Sequence, residues 1–572
     1  MIKNIVILAV SALVISLPFM FRQEALQSDW TSGDPELVII TPHNEAIRFE
    51  MSFAFSKWHQ EKYGKPVKID WRAIGGTTEI MRYLKSEYTA SVSSSWKQQG
   101  KPWTLKMASD MTNRKYKAGD GGESDEVHTY FRATDDPAAF TSRMDIFFGG
   151  GQYDHDKAAR EGMTVKPWAE GEAPENLFVE DGIEMLPTYV SGEIWRTDYL
   201  LGNAVSTFGI CYNLDRIKDL GVGEPNTWDD LADFRFFRQV GVADPTKSGS
   251  ITKAFEMIIH QKCYQAVQAA GFDDAQIAQF EKQIRAAKGA AWEVPESVPQ
   301  AYQNAVEAGW MDGVRLVQKI GGNARYFTDS ATKVPIDISV GDAAVGLAID
   351  FYGRYQAETS KAPDGTERMR YITPQGGSSV SCDPMSLLRG APHREVAVRF
   401  LHFVLTDEGQ RIWNYAPGSP GGPVKFALRR LPIRRSFYPS NNPKVQTRYE
   451  KHASYTTEEL GADDVNPYKL SETFVYHYRW TGGHFGIHRK LIKAMCLDSG
   501  DELKEAWKAV HTGTGDSAAA LDALHTMPAD LNWRSALETY NDADTRQLMR
   551  DWGEHFRTQY DAAARIARRP SA

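Results

Sequence analysis

Three histidines, His477, His484 and His488, stand close together in the chain, and the last two are four residues apart. That spacing would put two imidazoles on one helix face, as zinc sites often do. Gly482, Gly483 and Gly486 argue against a helix there, and no neighbouring carboxylate completes a metal set. Asp154-His155-Asp156 reads as a solvated loop. Gly149-Gly150-Gly151-Gln152 directly follows the apolar run Met144–Phe148. Glycines at the carboxyl end of a strand suit close approach of a ligand to backbone N–H groups, and they equally suit a tight turn. Neither the dinucleotide nor the P-loop glycine spacing is present, and no GxSxG, HExxH or kinase set appears. These groups are equipped for binding and not for bond-breaking, so the chain is expected not to be an enzyme and to hold no cofactor and no metal.

The elements that must position such residues follow from periodicity. Glu36–Thr41 (ELVIIT) reads as a buried strand, Pro42-His43-Asn44-Glu45 as a loop, and Ala46–Tyr63 as a helix stopped by Gly64. Val67–Trp71 is a second strand, and Gly75–Thr78 a loop whose threonines cap a helix starting near Glu79. Met144–Phe148 is a third strand. Strand, helix, strand, helix in this order predicts a parallel α/β lobe. Val205–Tyr212 reads as one strand with a glycine in mid-run, and Gln239–Ala243 as another, followed by Asp244–Ser250 opening a helix. Residues 261–320 are largely helical. Ala343–Ile349 leads into Asp350–Arg354, Met369–Thr373 is a strand, and Pro392–Leu405 is an amphipathic helix. Past Asn441, Leu491–Val510 and Asp544–Ala567 are helix-like.

At 572 residues the chain exceeds one typical core. Its 66 basic and 74 acidic residues give a net charge of −8, which argues against nucleic acid as a partner. The four cysteines, Cys211, Cys263, Cys382 and Cys496, have no zinc spacing. Lys3, then the apolar run Ile5–Met20, then Arg22 have the layout of an export signal; cleaved signal and retained anchor over 1–25 are both open. The folded body is expected outside the cytoplasm, periplasmic or extracytoplasmic.

FGICYNLD (208–215), PNTWDDLAD (225–233), VADPTKSGS (242–250), GDAAVGLAIDFYGRY (341–355) and SVSCDPMSLLRGAPHREVAVRFLHFVLTDEGQRIW (379–413) occur in this order. In that sequence of motifs the chain resembles bacterial extracellular solute-binding proteins of ABC importers, family-1-like, in the branch that contains ferric-ion, thiamine and polyamine binders. The resemblance implies a two-lobed α/β fold of the periplasmic-binding-protein kind, type II-like, with hinge-crossing strands. Lobe 1 would take 36–204 and 372–440 with an insertion at 86–143, lobe 2 would take 205–371, and 441–572 would be a mostly helical C-terminal extension.

It further implies a small-molecule or ion ligand in the interlobe cleft, delivered to an ABC permease in the inner membrane. The loops at the carboxyl ends of the strands would hold that ligand: His43, Asn44, Gly76, Thr77, Thr78, Gly149, Gly150, Ser248, Ser250, Asp350, Tyr352, Arg354, Ser378 and Ser379. Free N–H groups at helix starts favour a small anion such as a phosphate ester, phosphonate or carboxylate; for each Ser or Thr, simple capping is the competing role. A ferric site in such relatives takes a His, a Glu and two adjacent Tyr. Here His43 and Tyr352 match, glycine stands in place of the Glu, and Phe351 in place of the first Tyr. An envelope-anchored ligand sensor or scaffold subunit is the third reading.

Overall fold

The computed structural model describes residues 30–113, 116–117, 119, 122–540 and 544–569; the signal or anchor segment lies outside the described residues. In chain order the elements that frame the site begin with β1 (Glu36–Ile40), α1 (Glu45–Tyr63), β2 (Lys68–Arg72), α2 (Thr77–Gln98), β3 (Ile146–Phe148) and α3 (Gln152–Arg160). Next come β4 (Leu201–Ser206), β5 (Phe208–Asn213), β6 (Val240–Ala243), α4 (Gly249–Ala269), α5 (Gln300–Asn323), β7 (Ala324–Thr328), β8 (Val345–Ile349) and α6 (Asp350–Thr359). β9 (Met369–Ile372), β10 (Ser381–Leu388), α7 (Arg394–Leu405), α8 (Asp407–Asn414), β11 (Leu431–Pro432), α9 (Phe485–Ile492), α10 (Gly500–Thr512) and α11 (Thr545–Arg568) complete the frame.

Two sheets found two lobes. The first runs β11-β4-β10-β3-β1-β2, with Thr164–Val165 also paired to β10. β1 lies parallel to β2 and β3, while β10 is antiparallel to β3 and β4. The second runs β7-β6-β8-β5-β9, parallel at β6 and antiparallel around β5. β4, β5 and β10 are buried along their whole length, as apolar strands with both faces covered must be.

The run expected as one strand over Val205–Tyr212 is two. Thr207 leaves both ladders: its carbonyl accepts from the Asp350 N–H at 3.0 Å, and its hydroxyl lies 2.9 Å from that of Thr373. The chain thus passes from the first sheet to the second at Thr207 and returns between Thr373 and Val380. These are the crossing strands of a two-lobed α/β fold, in line with the expectation. Gly209 has a packing reason, since a Cβ there would stand 2.0 Å from the Ile372 carbonyl oxygen on the neighbouring crossing strand.

Several local expectations give way to packing. Asp154-His155-Asp156 is not a solvated loop but lies on α3, with Asp154 and His155 buried; His155 stacks on Phe147 at 3.9 Å. The glycines around His484 do not prevent helix: α9 begins at Phe485, and His484 and His488 are core residues. Burial against Trp310 and Trp533 outweighs the cost of glycine. Helix α2 begins at Thr77 and not near Glu79, so Gly76, not a threonine, holds its N-cap position. Asp350–Arg354 is the first turn of α6, not a loop.

The helical C-terminal extension is not an appendage. Leu460 joins the core of the first lobe, with Val465, Tyr468 and Leu470 packed against it. From Phe474 to Ala567 the buried side chains merge with the core of the second lobe, where Ile487, Trp507 and Phe556 belong to the same cluster as Ile258 and Val317. The segment between Leu470 and Phe474 is therefore a third passage from one lobe to the other. All four cysteines are buried and unbridged.

Candidate functional site

A cavity of about 620 Å³ opens between the lobes. This is a volume within the usual range for small-molecule sites. Of the residues expected at the ligand, His43, Gly76, Thr77, Gly150, Ser248, Ser250 and Tyr352 line it together. Asn44, Thr78, Gly149, Asp350, Arg354, Ser378 and Ser379 do not line it. Asn44 caps α1 by accepting from the Ile47 N–H at 3.1 Å. Thr78 donates across the cleft to the Thr246 carbonyl at 3.0 Å. Ser378 ties the crossing strands together by accepting from the Phe208 N–H at 2.8 Å, and the Ser379 N–H meets the sulfur of Met257 on α4. Asp350 is buried at the start of α6, where burial raises its carboxyl pKa against the pull of Arg354.

Three helices point their N-termini at this space. α2 and α3 start after Gly76 and Gly151, and neither has a side-chain cap. α4 starts after Ser248, whose hydroxyl accepts from the Ile251 N–H at 3.3 Å. Uncapped first-turn N–H groups carry the positive end of the helix dipole. Thr77, 3% exposed, has no hydrogen-bond partner for its hydroxyl. The glycines permit this crowding. A Cβ on Gly76 would lie 2.1 Å from the Lys247 carbonyl oxygen of the other lobe, and one on Gly150 would lie 2.3 Å from Thr77 Cγ2.

The floor is a charged cluster that the sequence did not announce as a site. Asp383 Oδ2 is 2.8 Å from His43 Nε2 and pairs with the Arg430 guanidinium. Asp383 Oδ1 accepts from the Gly150 N–H at 2.9 Å, and Arg430 also reaches Ser206 Oγ at 3.3 Å. All three side chains are buried. Burial works to raise the Asp383 pKa, but Arg430 and His43 together hold it well below the usual carboxylate range. Burial lowers the His43 pKa, so the ring is neutral. Facing an ionised carboxylate, its Nε2 carries the proton and donates, which leaves the buried, unpartnered Nδ1 as an acceptor. Gly149 (φ +86°) makes room for this ring: a Cβ there would stand 2.3 Å from His43 Cε1. In the sequence Arg430 is one of four arginines around Leu431–Ile433, and Asp383 stands inside the motif SVSCDPMSLL. The signal available was a charge placed inside an apolar strand, which demands a partner when buried.

The lobes also touch through ion pairs. Lys253 of α4 meets Glu193 of the first lobe at 2.9 Å and Glu256 at 3.0 Å. Burial works to lower the Lys253 pKa, and the two carboxylates hold it above its ordinary value. Arg489 of α9 reaches Asp154 at 3.3 Å. No group of three or more His, Cys, Asp or Glu among the described residues could hold a metal, and no described helix is long and apolar enough to cross a membrane.

The architecture is two lobes joined by crossing strands, with a polar cleft between them. Residues 173–453 match the family model of the bacterial extracellular solute-binding proteins, and over this stretch the chain is similar to that family. The family is one of binding proteins, not of enzymes. Three solved structures illustrate the similarity. AfuA from Actinobacillus pleuropneumoniae, a periplasmic binding protein with fructose-6-phosphate bound, is 14% identical, covering 74% of this chain and 98% of its own, with a TM-score of 0.41. Apo ferric ion-binding protein A of Pasteurella haemolytica is 10% identical over 80% of this chain and 97% of its own, TM-score 0.39. The spermidine/putrescine-binding PotD of Streptococcus pneumoniae is 13% identical over 80% and 99%, TM-score 0.40. Among curated proteins no match is found.

Proposed function

We propose that the chain is the extracytoplasmic solute-binding component of an ABC importer, capturing a small anionic solute in the interlobe cleft and handing it to a permease in the inner membrane. One observation carries the anionic reading: three helix N-termini, two of them without side-chain caps, meet at one cavity beside the unpartnered hydroxyl of Thr77. Charge alone does not support it, because Arg160, Lys253 and Arg430 each already face a carboxylate. The attraction comes from oriented backbone N–H groups. Interlobe contacts through Thr78 and Lys253 fit a cleft that shuts over its solute by hinge closure.

A ligand held this way stabilises the protein by mass action, by about 2.7 kcal/mol at 100 times its dissociation constant. A thermal-shift screen of phosphates, phosphonates, carboxylates, polyamines and metal ions is the test. Stabilisation by oxyanions that Thr77→Ala reduces is the expected result; an unmoved transition across every class would remove the reading.

The ferric alternative draws on His43 and Tyr352, which both line the cavity. Against it, the Arg430 cation sits 3.2 Å from His43 Nε2, and burial pushes the Tyr352 phenol up to about 12, away from the phenolate that Fe³⁺ prefers. A tyrosinate charge-transfer colour on adding ferric ion, abolished by Tyr352→Phe, would restore iron.

A further inference from the structure

The C-terminal extension does more than complete the core of the second lobe. Three of its rings, Tyr476, Tyr478 and Phe485, line the cleft, and they stand beside Tyr153 in the first turn of α3. Phe485 and Tyr153 are 4.9 Å apart, centroid to centroid, across the lobe boundary. Gly482 lies between the two extension tyrosines. A Cβ there would be 2.4 Å from the Tyr476 hydroxyl oxygen and 2.4 Å from Tyr478 Cδ2, so only a bare backbone lets both rings close on it.

Tyr476 is locked in place. Its hydroxyl donates to Glu256 Oε1 at 2.5 Å, and Lys253 Nζ sits 3.7 Å over its ring. Tyr478 differs: it lines the cavity, and the residue as a whole is 52% exposed. A large aromatic residue left half uncovered beside fixed, buried neighbours is a contact surface without its partner. The cavity is also far larger than one oxyanion needs. The hydrogen-bonding groups for an anion lie at the helix starts, and the rings adjoin the start of α3.

We propose that the extension builds an aromatic subsite in the cleft, with Tyr478 as its specificity-determining residue. It takes the flat, ring-bearing body of a solute whose anionic head sits on the helix N-termini. This rests on the anion reading above. Ring-on-ring contact of this kind is worth roughly tenfold in affinity once the area it buries is included.

Calorimetry on the full chain with inorganic phosphate, methyl phosphate and phenyl phosphate tests it. Phenyl phosphate should bind about tenfold more tightly than methyl phosphate. Tyr478→Ala should erase that preference while leaving methyl phosphate unchanged, and Tyr478→Phe should keep it. If phosphate and methyl phosphate bind and the phenyl group adds nothing, the subsite is refuted and the anion site stands. An equal loss for all three probes in Tyr478→Ala overturns it too, because the ring would then act through folding or closure. If none of the three binds, the anion reading falls and takes the subsite with it.

Discussion

Asp383→Asn removes one charge from a buried pair and leaves the other with nothing to answer it. Arg430 is 1% exposed and its Nε has no partner; among the described residues Asp383 is its only carboxylate, and the other groups at its guanidinium are the neutral Ser206 hydroxyl and the His43, Phe351 and Trp413 rings. An uncompensated charge in such a place costs about 3–5 kcal/mol. The double variant Asp383→Asn/Arg430→Met should recover most of that loss, since a well-packed apolar replacement of a buried pair is often close to neutral. Urea unfolding followed by far-UV circular dichroism measures the loss in each variant. The pH dependence has a definite sign. The folded pKa of Asp383 is depressed, so its contribution is complete above the ordinary carboxylate value of about 4 and is lost as pH falls below it. The gap between wild type and Asp383→Asn should therefore be full at neutral pH and shrink in acid. A single variant costing under about 1 kcal/mol, or a double variant worse than the single, would refute the claim that this pair sits in a low-dielectric interior.

Gly76→Ala should leave the first lobe as stable as before and weaken solute binding, because the new Cβ would meet the Lys247 carbonyl at 2.1 Å as the lobes close; small-angle scattering with and without phosphate should show lost compaction, and each 1.4 kcal/mol of closure energy forfeited costs about tenfold in affinity. Ending the chain at Leu470 should yield no soluble second lobe, since Ile487, Leu491, Trp507 and Phe556 belong to its core; a soluble, cooperatively melting truncation would contradict this. Burial lowers the pKa of His155 and His477 to about 4, and of His484 and His488 to about 3, so all four are neutral in the fold. Their contribution to stability is full above the ordinary histidine value near 6.5 and is lost as pH falls from there toward the folded values, by about 1.4 kcal/mol per pH unit per histidine. His488→Gln should flatten the slope of stability against pH between 6.5 and 4 by one proton's worth.

What the sequence determined by itself is local. The order of strand, loop and helix, the stop at Gly64 and the glycines after β3 are all written in neighbouring residues, because periodicity and backbone propensity act over a few positions. The motifs from Phe208 to Trp413 likewise carried the resemblance to the solute-binding family. They brought His43, Gly76, Thr77, Gly150, Ser248, Ser250 and Tyr352 into view as candidates, all of which line one cavity.

Tertiary structure decided which polar group answers which. His43 meets Asp383 across 340 positions of chain, and Asp383 meets Arg430 across 47. No local pattern marks such a pair; only burial makes it compulsory. The same force reassigned Ser378 and Thr78, which read as ligand contacts and in the fold bond to backbone at the crossing strands and across the lobes. It also settled the place of the extension. Its helices look independent in sequence, yet their apolar faces have no partner until the second lobe is beside them, and area removed from water depends on the neighbour as much as on the residue.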